Sequence, residues 1–327
     1  MDGRKLSREE DLELEKHEFK LMNKPAVKTI KTIHGDLYRC VDFYQQPAFD
    51  HPLLKNHTFN FKISPSSYPK KKSDEFDDGS TIFDPSKIWL NGQGCPVVDP
   101  SKKYYGAGMF TTTHKVQVQH PQSSYSRMKV KNNADYIEVG WMVNPLMCND
   151  DKTRMYIYTN AGSSRCFNTF CPGFVHVARD IPLDFVFRTQ GPRTRVSIKF
   201  IIDWDGKLRN WRLYMGDRNA VVGFWDNRIF TSGLNNFATY IDWGGQVYGP
   251  PNLPSAPMRT GVEVSGDEST DAFCWQIAYA NETSYTAADN VEGFSDIAAY
   301  KALDVGIKGR VRGHQFFYGG PGGYTGN

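Results

Sequence analysis

The sequence predicts a mainly β protein, an antiparallel two-sheet β-sandwich preceded by a small N-terminal α/β segment. Three observations carry this expectation. Beyond about residue 86 the chain breaks into many short runs separated by turn residues, the rhythm of a sandwich. Aromatic residues make up 14% of the chain, and its 29 glycines and 18 prolines are spread throughout. Long amphipathic helical patterns are scarce, so helices do not dominate the body. At 327 residues there is material for one large domain and a smaller one.

The elements follow in order. Ser7-Arg8-Glu9-Glu10 has the form of a capping box, and good helix formers over 8–22 run to the break at Asn23-Lys24-Pro25. Val27 to Ile33 alternates β-branched residues, His34-Gly35-Asp36 turns, and Leu37 to Tyr44 returns, which predicts a hairpin over 27–44. Tyr68 to Pro85 is polar, charged and proline-bearing, the composition of a linker. Strands are then expected at 88–90, 104–112, 114–119, 135–143, 154–159, 173–178, 184–188, 194–202, 209–214, 220–224, 239–248 and 273–279. Asp205-Gly206 and Gly216-Asp217-Arg218 read as hairpin turns, and Tyr318 to Tyr324, rich in glycine, reads by composition as a flexible tail.

Composition excludes several functions. A net charge of +3 is nearly balanced, and the basic run Lys70-Lys71-Lys72 is followed at once by Asp74, Glu75, Asp77 and Asp78. It reads as a solvated loop, not a nucleic-acid patch. No stretch approaches the roughly 20 apolar residues of a membrane span. The charged N-terminus lacks the apolar core of a signal peptide and taken alone reads as cytosolic, whereas the sequons at Asn56 and Asn281 fit secretion and glycosylation. The eight histidines show no metal spacing, with His114 and His120 expected at the surface, so neither metal nor cofactor is expected. Serine-hydrolase elbows and phosphate loops are lacking too. Cys166 and Cys171 bracket four residues, a spacing that a local disulfide closes.

Two segments stand out, Tyr136-Ile-Glu-Val-Gly-Trp141 and Asp242-Trp-Gly-Gly-Gln-Val247. Each reads as a strand with a polar side chain among apolar and glycine neighbours. On a strand, Tyr136, Glu138 and Gly140 share one face, and so do Asp242, Gly244, Gln246 and Tyr248 unless Gly244-Gly245 forms a bulge. Trp141 and Trp243 then point the other way, into the core. The glycines leave room for an extended peptide, which makes Tyr136, Gly140, Gly244 and Tyr248 the candidate substrate-binding residues.

Both segments closely resemble signatures of the neprosin family, plant glutamic peptidases secreted as zymogens that cut after proline with two glutamates. The resemblance extends over nearly the whole chain. Asn23-Lys24-Pro25, Gly35-Asp36, Cys40-Val41-Asp42 and the run Gln46 to His57 resemble the family's activation peptide. Ile88-Trp89-Leu90 and Cys95-Pro96 resemble its junction, and Tyr104 to Ala107, Cys166 to Val175, Gly223-Phe-Trp225 and Tyr318 to Gly322 resemble the catalytic domain. It implies an activation segment over 1–85, a peptidase domain over 86–327, secretion, a proline-containing peptide or protein substrate and the chain's own prodomain as partners. It also makes Cys40 and Cys95 candidates for a bridge between prodomain and junction. Cys148 and Cys274 are left to pair or stay free.

Departures from the family pattern are also legible. Its WGGE is WGGQ, so Gln246 stands where a second acid is expected. Ala299-Tyr300 replaces a Cys-Tyr pair, and Met258-Arg-Thr-Gly261 replaces Met-Gly-Ser-Gly. Gln246 cannot ionise, but an amide N–H can stabilise an oxyanion by roughly 3 kcal/mol, and the related fungal glutamic peptidases are known for a Glu–Gln dyad. Asp242 lies four residues from Gln246, about 13 Å along a strand, too far to replace it directly. The expected function is an acid-active, proline-directed endopeptidase using Glu138 and Gln246 without a cofactor. The alternatives are a catalytically inactive sandwich that binds peptide or glycan, and a cytosolic interaction protein.

Overall fold

The computed structural model describes residues 24–32, 35–56, 58, 91–97, 102–162, 164–189, 196–249, 254–288, 291–295 and 298–323. The expected helix at 8–22, the linker at 68–85 and the strand at 88–90 lie outside them. Two sheets, antiparallel throughout, form the body. The first has seven strands in the order β16 (Glu292–Ser295), β3 (Asn91–Val97), β13 (Tyr240–Tyr248), β5 (Ser123–Asn132), β6 (Asp135–Val143), β7 (Arg154–Ala161) and β8 (Ser164–Phe167). The second is nine-stranded. It runs β17 (Lys301–Ile307), β18 (His314–Gly319), β14 (Phe273–Ala280), β4 (Gly106–Thr112), β10 (Ser197–Asp205), β11 (Asn210–Met215), β12 (Ala220–Asp226) and β9 (Phe174–His176), with β15 (Tyr285–Ala287) beside β14. Ahead of them β1 (Ala26–Lys31) and β2 (Leu37–Val41) pair as the expected hairpin.

Alternation explains why these sheets stack. The inward positions of both supply one continuous core that includes Ile137, Val139, Trp141 and Trp243 from one sheet and Phe200, Ile202, Trp211 and Trp225 from the other. Burying aromatic rings requires that their N–H groups find acceptors. Trp141 Nε1 donates to the Thr112 carbonyl at 3.0 Å, and Trp225 Nε1 donates to Thr159 Oγ1 at 2.7 Å. Both bonds run from one sheet to the other. So does the hydroxyl chain from Thr111 Oγ1 to Ser126 Oγ at 2.8 Å and on to the Tyr318 hydroxyl at 2.8 Å. Arg259 enters the same seam, fully buried, with its guanidinium over the rings of Tyr318 and Trp141 at 4.2 and 5.0 Å.

Several sequence expectations need correction. β5, β8 and the four strands after residue 284 were not expected. The run at 114–119 has no regular structure, and 184–188 contributes one bridge, between Arg154 and Val186. His114 is buried, not superficial; its Nε2 lies 2.8 Å from Thr112 Oγ1, and burial lowers its pKa so that it stays neutral. Cys40 carries a free thiol, so the Cys40–Cys95 bridge is not formed; Cys40 belongs to the hairpin and Cys95 to the seven-stranded sheet, where its side chain is outside the described residues. Cys166 and Cys171 are bonded, whereas Cys148 and Cys274 are free. Among the described residues no helix is long and apolar enough to cross a membrane, and no group of three or more His, Cys, Asp or Glu could hold a metal.

The glycine-rich C-terminal run is built into the fold. β18 lies between β17 and β14, and beyond it Gly320 bridges Met258 and Gly323 bridges Ser255. Gly322 has φ +68°, and a Cβ there would sit 2.4 Å from the Ser255 carbonyl oxygen. Gly322→Ala is therefore expected to cost at least about 2 kcal/mol by denaturant titration. A flexible tail would show no change.

Candidate active site

The two signature strands do not pair with each other. β13 and β6 both pair with β5, so β5 sets their relative register. The pairing of β13 with β5 is unbroken from Tyr240 to Tyr248, and the Gly244-Gly245 pair introduces no bulge there. Opposed residues of an antiparallel ladder project to the same face. Asp242, Lys129, Glu138 and Tyr158 therefore form one row across the outer face. The next row is Gly244, Arg127, Gly140 and Tyr156, and the third is Gln246, Tyr125, Met142 and Arg154. Trp141 and Trp243 lie in the core behind them, as alternation requires.

Glu138 and Gln246 thus share a face, one row on either side of a row that holds two glycines. They sit diagonally, four residues apart along β5 and one strand to either side of it, about 13 Å along the strand and about 10 Å across before the sheet twists. Asp242, discounted for its distance from Gln246, stands in the same row as Glu138. The relevant neighbour was across β5, not along β13.

The electrostatics follow from that register. Lys129 Nζ contacts Glu138 Oε1 at 2.7 Å and lies 4.6 Å from the centre of the Tyr136 ring. Arg127 pairs with Asp242, both fully buried. Two cations on one strand therefore meet two carboxylates on its neighbours. Glu138 is 4% exposed and Gln246 is 5% exposed, and among the described residues Gln246 Oε1 has no hydrogen-bond donor. A buried acceptor without a donor is costly, and an N–H brought to it would relieve that cost.

Tyrosines flank this face. Tyr136 stacks on Tyr158 at 5.7 Å, Tyr158 meets Phe167 edge-on at 4.6 Å, and Tyr156 meets Tyr125 edge-on at 5.4 Å. Burial, then the nearby Glu138 charge, raises the Tyr136 and Tyr156 hydroxyls, so both remain protonated. Tyr248, at the end of β13, is half-buried. The disulfide between Cys166 and Cys171 closes the loop that carries Phe167 and Phe170 to this wall. Lys129, Arg127, Tyr125, Tyr156 and Tyr158 were not anticipated. The signal was present in Tyr125, Arg127, Lys129 and Lys131, an alternation of long polar side chains with Ser126, Met128 and Val130.

Two cavities lie elsewhere. One of about 890 Å³ separates the hairpin from residues 176–183, and one of about 700 Å³ lies among Lys102–Tyr105, Tyr279 and Asn281–Thr283. On the rim of the second, exposed Asn281 accepts through Oδ1 from the Thr283 backbone N–H at 2.9 Å. Asn56 is exposed as well, at φ +63°.

Lys129→Met would leave Glu138 buried without its cation, at an expected cost of about 3 kcal/mol in denaturant titration. Adding Glu138→Gln should recover most of that loss, giving a coupling energy in the double-mutant cycle.

Residues 120–321 match the Neprosin family model, and residues 29–98 match that of the Neprosin activation peptide. Among solved structures, scytalido-glutamic peptidase with a peptide-based transition-state analog aligns at 6% identity. The alignment covers 71% of this chain and 98% of that one, with a TM-score of 0.38. SCP-B, an Eqolisin-family peptidase in complex with a tripeptide, also aligns at 6% identity over 71% and 98% of the two chains, with a TM-score of 0.36. Similarity of that degree carries no argument about chemistry. The family match spans more than half of the sequence and includes both signature strands, so the chain belongs to the neprosin family.

Proposed function

We propose that this protein is the zymogen of an acid-active, proline-directed glutamic endopeptidase, with residues 1–85 as activation segment and 86–327 as peptidase domain. The observation that carries the reading is the placement of Glu138 and Gln246 on one outer face, either side of the Gly140 and Gly244 row. In this mechanism an extended peptide lies over that row. The Glu138 carboxylate takes a proton from water as the water attacks the scissile carbonyl, then returns it to the leaving nitrogen. Gln246 Nε2–H donates to the developing oxyanion, a contribution of roughly 3 kcal/mol. Tyr136 and Tyr248 border the path, and their rings suit a proline side chain.

Secretion, with glycans at Asn56 and Asn281, belongs to the same proposal. A second reading, a non-catalytic sandwich that binds peptide or glycan, draws on the direct Lys129–Glu138 ion pair, which occupies the carboxylate that would activate water.

Acid incubation separates the two. The expected outcome is loss of the N-terminal segment and cleavage of a proline-containing peptide. Glu138→Gln should lower kcat/KM at least about a thousandfold and Gln246→Ala about a hundredfold. Undiminished cleavage by Glu138→Gln would refute the assignment. Saturable binding of the same peptide without cleavage by the wild type would favour the second reading.

A further inference from the structure

We propose that residues 24–56 are a separable ligand of the sandwich. They complete its core and cap the free edge of β9, and they stay bound by non-covalent contacts alone when the chain is cut between residues 58 and 91. The contact does not involve Glu138 or Gln246, so the inference stands independently of the proposed reaction.

β9 is the last strand of the nine-stranded order, which among the described residues leaves one side of its backbone without a strand neighbour. Exposed edges of this kind recruit partners. Here the partner is a side chain. Gln46 Nε2 donates to the His176 carbonyl at 2.8 Å, and the His176 N–H donates back to Gln46 Oε1 at 2.9 Å. One amide thereby makes both bonds that a backbone residue of an added strand would make.

The apolar contacts follow directly in sequence. Ala48, Phe49 and Leu54 are 1%, 8% and 0% exposed, and they belong to the same continuous core as Trp141 and Trp225. Pro47 opens the short helical turn Pro47–Asp50 that aims Ala48 and Phe49 inward. The rings of Phe43, Tyr44 and Phe49 pack mutually at 5.0 to 5.4 Å, and Lys24 Nζ closes the segment on Asp50 at 2.7 Å. A polar anchor sits at the hairpin end. Buried Asp36 lies 3.5 Å from Lys152 and 4.0 Å from Arg154 of the sandwich.

The rest of the segment holds on less tightly. The hairpin stands off the body across the 890 Å³ cavity, and five of the six β1 residues are exposed. Cys40 is a free thiol, so no disulfide attaches the hairpin. The grip is therefore concentrated in Gln46 to Leu54.

The test inserts a sequence-specific endoprotease site between residues 58 and 91 of the full chain and cuts at neutral pH. Both fragments are expected to co-elute in one size-exclusion peak and to separate only in denaturant. Phe49→Ala should weaken retention at least about tenfold on dilution, and Gln46→Ala should weaken it as well. Leu37→Ala, at a hairpin position 49% exposed, should leave it unchanged. A lowered melting temperature when the small fragment is removed would also support the proposal. A sandwich fragment that elutes alone, with its melting transition unaltered, would overturn it.

Discussion

A sheet face that is both buried and charged obeys one constraint: each charge needs an opposite charge within reach. β5 meets that constraint by carrying Lys129 and Arg127 on one face, between a glutamate on β6 and an aspartate on β13. Other features of the site follow from it. The register that brings Lys129 to Glu138 also sets Gln246 against Tyr125, because β13 cannot slip without exchanging its faces. Gly140 of the middle row has a related origin. A Cβ on Gly140 would lie 1.8 Å from the Ser126 carbonyl oxygen, so the close approach of β5 and β6 at the centre of the site admits no side chain there.

The signature strands were legible because apolar residues alternate cleanly with polar ones, and alternation fixes faces without knowledge of neighbours. The strand between them was not. Tyr125, Arg127, Lys129 and Lys131 look like solvated positions until Glu138 and Asp242 are seen beside them. Pairing partners are a property of the sheet, and no spacing within one segment encodes them. Asp242 illustrates this: its distance from Gln246 was read correctly, while its alignment with Glu138 depended on a third strand. The C-terminal glycines concealed structure for a different reason. Composition equates glycine with freedom, but Gly322 is glycine because the chain passes too close to Ser255 for anything larger.

The two sheets divide the work. The seven-stranded sheet carries the candidate chemistry, and the nine-stranded sheet offers the edge that Gln46 caps. Hydrogen bonds from Trp141, Trp225 and the Thr111–Ser126–Tyr318 chain join them across the core. Arg259 lies in that seam at a position where the neprosin pattern has glycine, and it adopts φ +62°. Its guanidinium donates to Thr111 Oγ1 at 2.8 Å and to the Thr112 carbonyl, and it rests on two aromatic faces. A permanent cation is thereby accommodated by hydroxyls, a carbonyl and π-clouds. No carboxylate pairs with it among the described residues.

The disulfide joins cysteines only five residues apart. It shapes one loop, and among the described residues no other pair of thiols is bonded. Among the described residues, neither the contact between the sheets nor the docking of residues 24–56 has a covalent staple. Reduction of the disulfide is therefore expected to release the loop over residues 166–171 while the shared core continues to hold the two sheets together.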